Sequence, residues 1–523
     1  MAVSGDSAPD LGPLTGPELR LALADSLSRL RSADFSSRAL PADGERGSHP
    51  PPGVRPGTFD YHWLRSPEHS PVLALTQGLS TGDFTSQELV QHLLDAATDW
   101  NARLNVYSDI FYDQALAAAR RIDRERRAGT DVGPLHGMPI AVKDVFTTVE
   151  APTKANSPIR PLDDLMEDAA YVANLRSRGT ILLGKTATMQ LACGMPDWPN
   201  DRFVPRNPWQ PRHWTGGSSS GSAAGVAAQL FPAALGTDTA GSIRTPAALC
   251  GVTGYKPSLH PGALRGCLSV SPTMDSVGPI GTTAMDCAVI AESLFAEPEF
   301  THRPGSSRLS LADVVLGIDS KMFLADWVEP EARNGFLVAM EELAGHGVQF
   351  LEVSLPEYDL LRTAARVIWT TEAFTNFGRR ANELARPTQA LLETGRMNAS
   401  HVYSQARRAR AWGRDTYGSL LATCTAFLSP TRTCLAPLVE HATVEWQLGP
   451  HNHTSIWNLL GFPAISIPAG VSSGRLPIGL QLTTSPGDDR RLLAVAALVQ
   501  EATDWHRATP QFAAPVFRTS VPA

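Results

Sequence analysis

Residues 215–225 read TGGSSSGSAAG, a run of small side chains in which serines stand beside glycines. Serines in such a setting suggest acyl transfer. A hydroxyl attacks a carbonyl once a base takes its proton, and nearby backbone N–H groups hold the oxyanion. Plainer readings exist too. Gly/Ser runs are flexible linkers, and Gly217-Ser218-Ser219-Ser220-Gly221 fits the G-x-S-x-G expression of a nucleophile elbow. The flanks decide. An alanine-rich helical pattern over 222–230 starts at once and a strand follows near 233–236, so the run is no linker. An elbow must follow a buried strand, whereas 207–214, NPWQPRHW, is polar, proline-rich and unfit for one. A loop at a helix N-terminus remains; it points several N–H groups at one spot, which suits an anion or a developing oxyanion. Residues 236–246, GTDTAGSIRTP, repeat the device: Ala240-Gly241 make a tight turn and Ser242 enters the next helix. Lys143 ends another strand, the apolar 139–142, PIAV. Two such loops on one α/β sheet, with Lys143 at the end of another strand, make a convergent site.

Two other motifs fail on context. Residues 179–186, GTILLGKT, match the phosphate-loop expression letter for letter, but a phosphate cradle needs free N–H groups between strand and helix. Here the interior Ile-Leu-Leu is itself a strand. His451 and His453 stand two apart and no H-E-x-x-H occurs, so no metal is expected. Hydrophobic residues at 43% and charged residues at 19% are those of a globular chain. A net charge of −7 gives no electrostatic case for nucleic acid or an anionic membrane. Six scattered cysteines without a C-x-x-C pair argue against a disulfide scaffold or a zinc framework. The opening residues, MAVSGDSAPDLG, lack a signal's basic and apolar regions, and no apolar run reaches the ~18 residues of a membrane span. A cytoplasmic location is the expectation.

The elements that must hold the site read as α/β. Residues 1–70 form an extension, with one helix over 13–31 and a Pro/Gly-rich linker over 42–57. One domain then spans 71–523. Thr85-Ser-Gln-Glu88 is a capping box opening a helix with apolar Leu89, Leu93, Leu94 and Ala97. Helices follow at 113–127 and 169–178, and a strand at 180–183. Strands at 426–428, 464–467 and 478–482, then a helix at 488–503, close the fold. This alternation predicts a mainly parallel or mixed sheet. The core covers about 130–300, a long helical pattern at about 325–420 reads as an insertion, and the core resumes over 421–505.

At this point the chain resembles the amidase signature family, whose signature runs from a Gly/Ser loop to a Ser-hydrophobic-Arg-x-Pro turn. Residues 216–247, GGSSSGSAAGVAAQLFPAALGTDTAGSIRTPA, satisfy it, and HGMPIAVKD at 136–144, NPW at 207–209, GYKP at 254–257, SVGP at 276–279 and NLLGFP at 458–463 are further family-like pieces. The resemblance covers about 72–505. It implies a large mixed β-sheet sandwiched between helices, with the helical insertion and the N-terminal extension as additions. It also implies a catalytic lysine, a cis-peptide serine and a nucleophilic serine, falling on Lys143, Ser218 and Ser242. The backbone N–H groups of Thr239, Ala240, Gly241 and Ser242 would form the oxyanion hole. Asp238 and Arg244 read as an ion pair bracing that loop, and Ser219, Ser220 and Ser222 as supporting or helix-capping residues.

No cofactor is implied, and the partner is a small-molecule amide or carbamate (urethane), with a homodimer left open. The glutaminase subunit of the tRNA-dependent amidotransferase places an acidic residue seven positions before its Asn-Leu-x-Gly; here that position is His451, which weakens a glutamine reading. The expected substrate is therefore a neutral, largely apolar or aryl amide or carbamate, with Met195, Trp198, Trp214, Trp457 and His451 as candidate substrate contacts. The alternatives are the glutaminase-type subunit working with a partner chain, and a catalytically inactive binding protein.

Overall fold

Short apolar runs bounded by glycine, proline and polar turns have the pattern of strands buried on both faces. In chain order they are β1 Tyr107–Ile110, β2 Pro139–Lys143, β3 Ile181–Thr186, β4 Ala233–Asp238, β5 Thr253–Lys256, β6 Ser276–Gly281, β7 Val315–Ile318, β8 Gln349–Glu352, β9 Ala426–Pro430, β10 Ala464–Val471 and β11 Pro477–Thr483. The computed structural model describes residues 70–130, 132–160, 165–197, 203–260, 264–295 and 309–517 with a few isolated positions. Among these, the strands form one mixed eleven-stranded sheet in the order β1-β3-β2-β4-β6-β5-β10-β11-β9-β7-β8. The helix expected over 13–31, the linker over 42–57 and Trp198 lie outside the described residues.

Strands β3, β2 and β4 are neighbours and run parallel. Their carboxyl ends, Lys143, Thr186 and Asp238, therefore reach one edge of the sheet, the edge where open α/β sheets bind ligands. Side chains alternate across the sheet. Ile140, Val142, Leu182 and Leu235 enter one apolar layer, and Ala141, Ile181, Leu183 and Ala234 the other. The helix Ser220–Ala227 lies in this second layer, with Ala223, Ala224, Val226 and Ala227 buried. Its Gly221 N–H donates to the Ala187 carbonyl at 2.9 Å, which docks its first turn on the end of β3.

Several expectations shift. The helix begins at Ser220 rather than 222 and ends at Ala227, and Gln229 just beyond has φ 60°, a left-handed conformation that breaks helical geometry. Gly184, Lys185 and Thr186 continue β3, so all of the phosphate-loop match after Gly179-Thr180 is strand. Buried Lys185 sits 3.3 Å from Asp144 and donates to Thr153 Oγ1 at 2.8 Å. The segment at 325–420 is helical over Pro330–Gly345, Tyr358–Phe377, Arg386–Arg396 and Ser400–Leu421, yet it also contributes the edge strand β8.

Candidate active site

Lys143 ends β2 and is fully buried. Its Nζ lies 2.8 Å from Ser218 Oγ and 2.8 Å from Thr237 Oγ1. Burial lowers its pKa to about 7, against the opposing pull of Cys267, Asp238 and Asp275. An amine with that value is largely neutral just above pH 7 and accepts a serine proton; an ordinary lysine, near 10.4, does not. Ser218 follows a cis peptide, Gly217–Ser218, and its carbonyl accepts from Thr188 Oγ1 at 2.9 Å. The serines after it are engaged elsewhere. Ser219 Oγ donates to the Thr237 carbonyl at 3.2 Å, Ser220 Oγ to the Gly216 carbonyl at 2.7 Å and Ser222 Oγ to the Leu235 carbonyl at 3.2 Å. They pin the loop to β4 and to itself, and no side chain caps the helix.

The Ser219 N–H donates to the Ser242 carbonyl at 3.0 Å, which ties the two small-residue loops together. Ser242 stands two residues before the helix Arg244–Cys250 rather than inside it. Asp238 organises this loop. Its Oδ1 accepts from Gly241 N at 2.7 Å and Arg244 Nη2 at 3.0 Å, and its Oδ2 from Ile243 N at 3.1 Å and Arg244 Nε at 3.0 Å. Burial alone would raise the Asp238 pKa, but Arg244, with Lys256 and the Asn458 amide, holds it well below the usual carboxylate range. Arg244 Nη1 reaches the Thr454 carbonyl at 3.0 Å and Gln481 Oε1 at 2.8 Å. The ion pair thus braces the loop from strands far along the chain. One expectation changes here: the Gly241 N–H is taken by Asp238 and is not available to an oxyanion. The other three expected donors, Thr239, Ala240 and Ser242, belong to residues that line the cavity.

That cavity is also lined by Gly217, Ser218 and Ser242, and Ala192, Cys193, Gly194, Met195, Trp214, Val270, Trp369 and Gln447 complete its wall. The wall carries no charged side chain. Asp275 supports it from behind, accepting from Thr239 Oγ1 at 2.5 Å and from Val270 N at 2.9 Å. Of the candidate substrate contacts, Met195 and Trp214 line this cavity. Trp457 and His451 do not line the cavity. Trp457 is fully buried against Phe427, Phe462 and Tyr417, because the helix Ser455–Leu460 that carries it is enclosed on all sides. His451 lies against Thr433 and Trp327.

A family model described as Amidase matches residues 88–493. The chain belongs to the amidase signature family. It is 33% identical over 491 residues to a glutamyl-tRNA(Gln) amidotransferase subunit of Chromohalobacter salexigens, covering 84% of this chain and 97% of that one. Among solved structures it is similar to a protein described as an amidase, with 28% identity, a TM-score of 0.72 and coverage of 82% and 99% of the two chains. The peptide amidase of Stenotrophomonas maltophilia matches at 26% identity and a TM-score of 0.69, covering 84% and 98%.

Two features mark this amidase signature member. The wall residues missed in the sequence, Ala192, Cys193, Gly194, Val270, Trp369 and Gln447, come from segments outside the Gly/Ser motifs, and Trp369 belongs to the helix Tyr358–Phe377 in the supposed insertion. The one available signal was the apolar face of that helix, where Ala365, Ile368 and Trp369 are buried. The second feature is the imidazole seven positions before Asn458-Leu-Leu-Gly461. Burial, helped by Arg432 and Arg362, lowers the His451 pKa to about 4, so it is neutral and sits among guanidinium groups.

Proposed function

We propose that this protein hydrolyses the C–N bond of an amide or carbamate through a Ser242 acyl-enzyme, with Lys143 as base and Ser218 as proton relay. The carrying observation is the buried 2.8 Å contact between Lys143 Nζ and Ser218 Oγ, with Ser218 and Ser242 lining one cavity. Neutral Lys143 takes the Ser218 proton as Ser218 takes that of Ser242, and Ser242 Oγ attacks the carbonyl carbon. The N–H groups of Thr239, Ala240 and Ser242 hold the oxyanion. The proton returns through Ser218 to the nitrogen, the amine leaves, and water cleaves the ester by the same relay run again. The uncharged wall, with Trp214, Trp369 and Met195, favours an apolar or aryl group next to the scissile bond and no charge there. A fluorophosphonate should label Ser242; the label on Ser218 or Ser219 instead would overturn the assignment.

The curated relatives favour a second reading, a glutaminase-type subunit that works with a partner chain. Against it, the position where that subunit class has an acid is here the neutral His451, beside the Arg362 and Arg432 cations, so glutamine's ammonium would lose its counter-charge. Comparing kcat/KM for an aryl anilide or aryl carbamate with that for glutamine decides between them: glutamine ahead by more than about tenfold, a difference of about 1.4 kcal/mol, would establish the glutaminase reading.

A further inference from the structure

Arg432 is 4% exposed, and its Nε, Nη1 and Nη2 meet no oxygen or nitrogen acceptor among the described residues; the Cys434 sulfur is their one hydrogen-bonding neighbour. Its guanidinium stacks 4.0 Å from the centre of the Trp446 ring, with the Cys434 thiol, a weak acceptor, beside it. No carboxylate among the described residues pairs with it. The other charged neighbour is Arg362, which donates to the Gly449 carbonyl at 2.7 Å, meets the exposed Asp359 at 3.3 Å and leaves its own buried Nε unpartnered. Arg366, one turn along the same helix, also has a buried nitrogen, Nη2, without a partner. Histidines 451 and 453 are neutral through burial, so the positive charge rests on the arginines. A buried cation without a counter-charge is costly. This one is surrounded by donors and short of acceptors.

The cluster lies behind the cavity wall, next to residues that line it. Trp446 meets Trp214 edge to face at 5.4 Å, and Trp214 is cavity wall. Gln447, the next residue, also lines the cavity, and its Oε1 is buried without a partner. On the helix Tyr358–Phe377, Trp369 in the wall is preceded by Arg366 and Arg362 at spacings of three and four, the spacing of one helix face. Two elements therefore run from the cavity to the same cations.

We infer that Arg432, backed by Arg362 and Arg366, receives a carboxylate carried by the substrate at the end remote from the scissile C–N bond. The planar fork of a guanidinium matches a carboxylate with two parallel hydrogen bonds. This deepens the hydrolase reading above and rests on it: apolar and uncharged where the bond breaks, anionic at the far end.

The test compares free acids with their methyl esters. On the acyl side the probes are the mono-4-nitroanilides of succinic, glutaric and adipic acids; on the amine side, 4-acetamidobenzoate. Wild-type protein should prefer at least one acid over its ester by about tenfold or more in kcat/KM, the scale expected for a buried charge pair. Arg432→Met should bring that ratio to near one, and Arg432→Lys should leave it between. Binding read without turnover should agree: in Ser242→Ala, the acid should raise the melting temperature more than the ester, and adding Arg432→Met should remove the difference. Equal rates for acid and ester in the wild type, on both sides, would overturn the proposal even if Arg432→Met does not fold. Acetate or phosphate binding as tightly as the acid probes would also overturn it, because the site would then serve free anions. If no probe turns over and fluorophosphonate misses Ser242, the hydrolase reading itself has failed.

Discussion

Lys143 is where the residue scale is most testable. Its amine must be neutral to accept a proton, and burial sets its pKa at about 7. As pH falls through that value the base becomes an ammonium and the reaction loses its acceptor. So kcat/KM should rise with pH through about 7 as one ionisation and then level off. Lys143→Ala should remove that limb and cost about 100- to 10,000-fold in rate, the usual worth of a positioned base. Lys143→Arg should be nearly as damaging, since a guanidinium stays protonated; an active arginine variant would overturn the role. Ser218→Ala should be severe for the same reason. Ser219→Ala should lose less, because Ser219 Oγ holds the Thr237 backbone, donating to its carbonyl at 3.2 Å, rather than the lysine. Rates for the two variants, measured side by side, check the order. These residues were legible because each sits in a motif short enough to read as a string. The loss of Gly241 as a donor was not legible, since it depends on which way Asp238 turns.

At the scale of elements, the Ser220–Ala227 helix positions the serine loop by close approach. A Cβ on Gly221 would stand 2.3 Å from the Val106 carbonyl oxygen and 2.7 Å from Ala187 N, both backbone atoms that cannot swing aside. Gly221→Ala removes no reacting group, yet it should push the helix off β3 and separate Ser218 from Lys143. Activity should fall severely, with thermal unfolding showing whether the fold survives. Strands β2, β4, β10 and β11 were readable as apolar runs bounded by turns, and the capping box at Thr85 and Glu88 closes as its letters imply. Strand β8 was hidden. Its four residues, Gln-Phe-Leu-Glu, are exposed at both ends and half-buried between, so they show neither alternation nor a continuous apolar run. The cavity wall was legible only in Met195 and Trp214; Trp457, equally close to a motif, went to the core because enclosure by neighbouring elements has no signature in local sequence.

Over the whole molecule, the sheet encloses a third buried lysine beside Lys143 and Lys185. Lys256 is fully buried, donates to the Pro257 carbonyl at 2.7 Å and has its pKa lowered to about 7 by burial and by Arg244. The unfolded chain holds that proton up to about pH 10.4. Between about 7 and 10.4 the unfolded state therefore binds more protons than the folded one, and this group's burden on stability grows as pH falls across that window. Lys256→Met should gain stability relative to the wild type as pH drops from 10 to 7. Urea unfolding at several pH values measures it, and a difference that does not change with pH would refute the assignment. The long reach of the Arg244 brace has another consequence, in the order of synthesis. Lys143, Ser218 and Ser242 all leave the ribosome early, but the loop carrying Ser242 is held through Arg244 by Thr454, Asn458 and Gln481. Contacts so far apart in sequence form late. On the proposed mechanism, a nascent chain therefore carries Lys143, Ser218 and Ser242 for about two hundred residues without a working site, and hydrolysis should begin only once the C-terminal strands have docked.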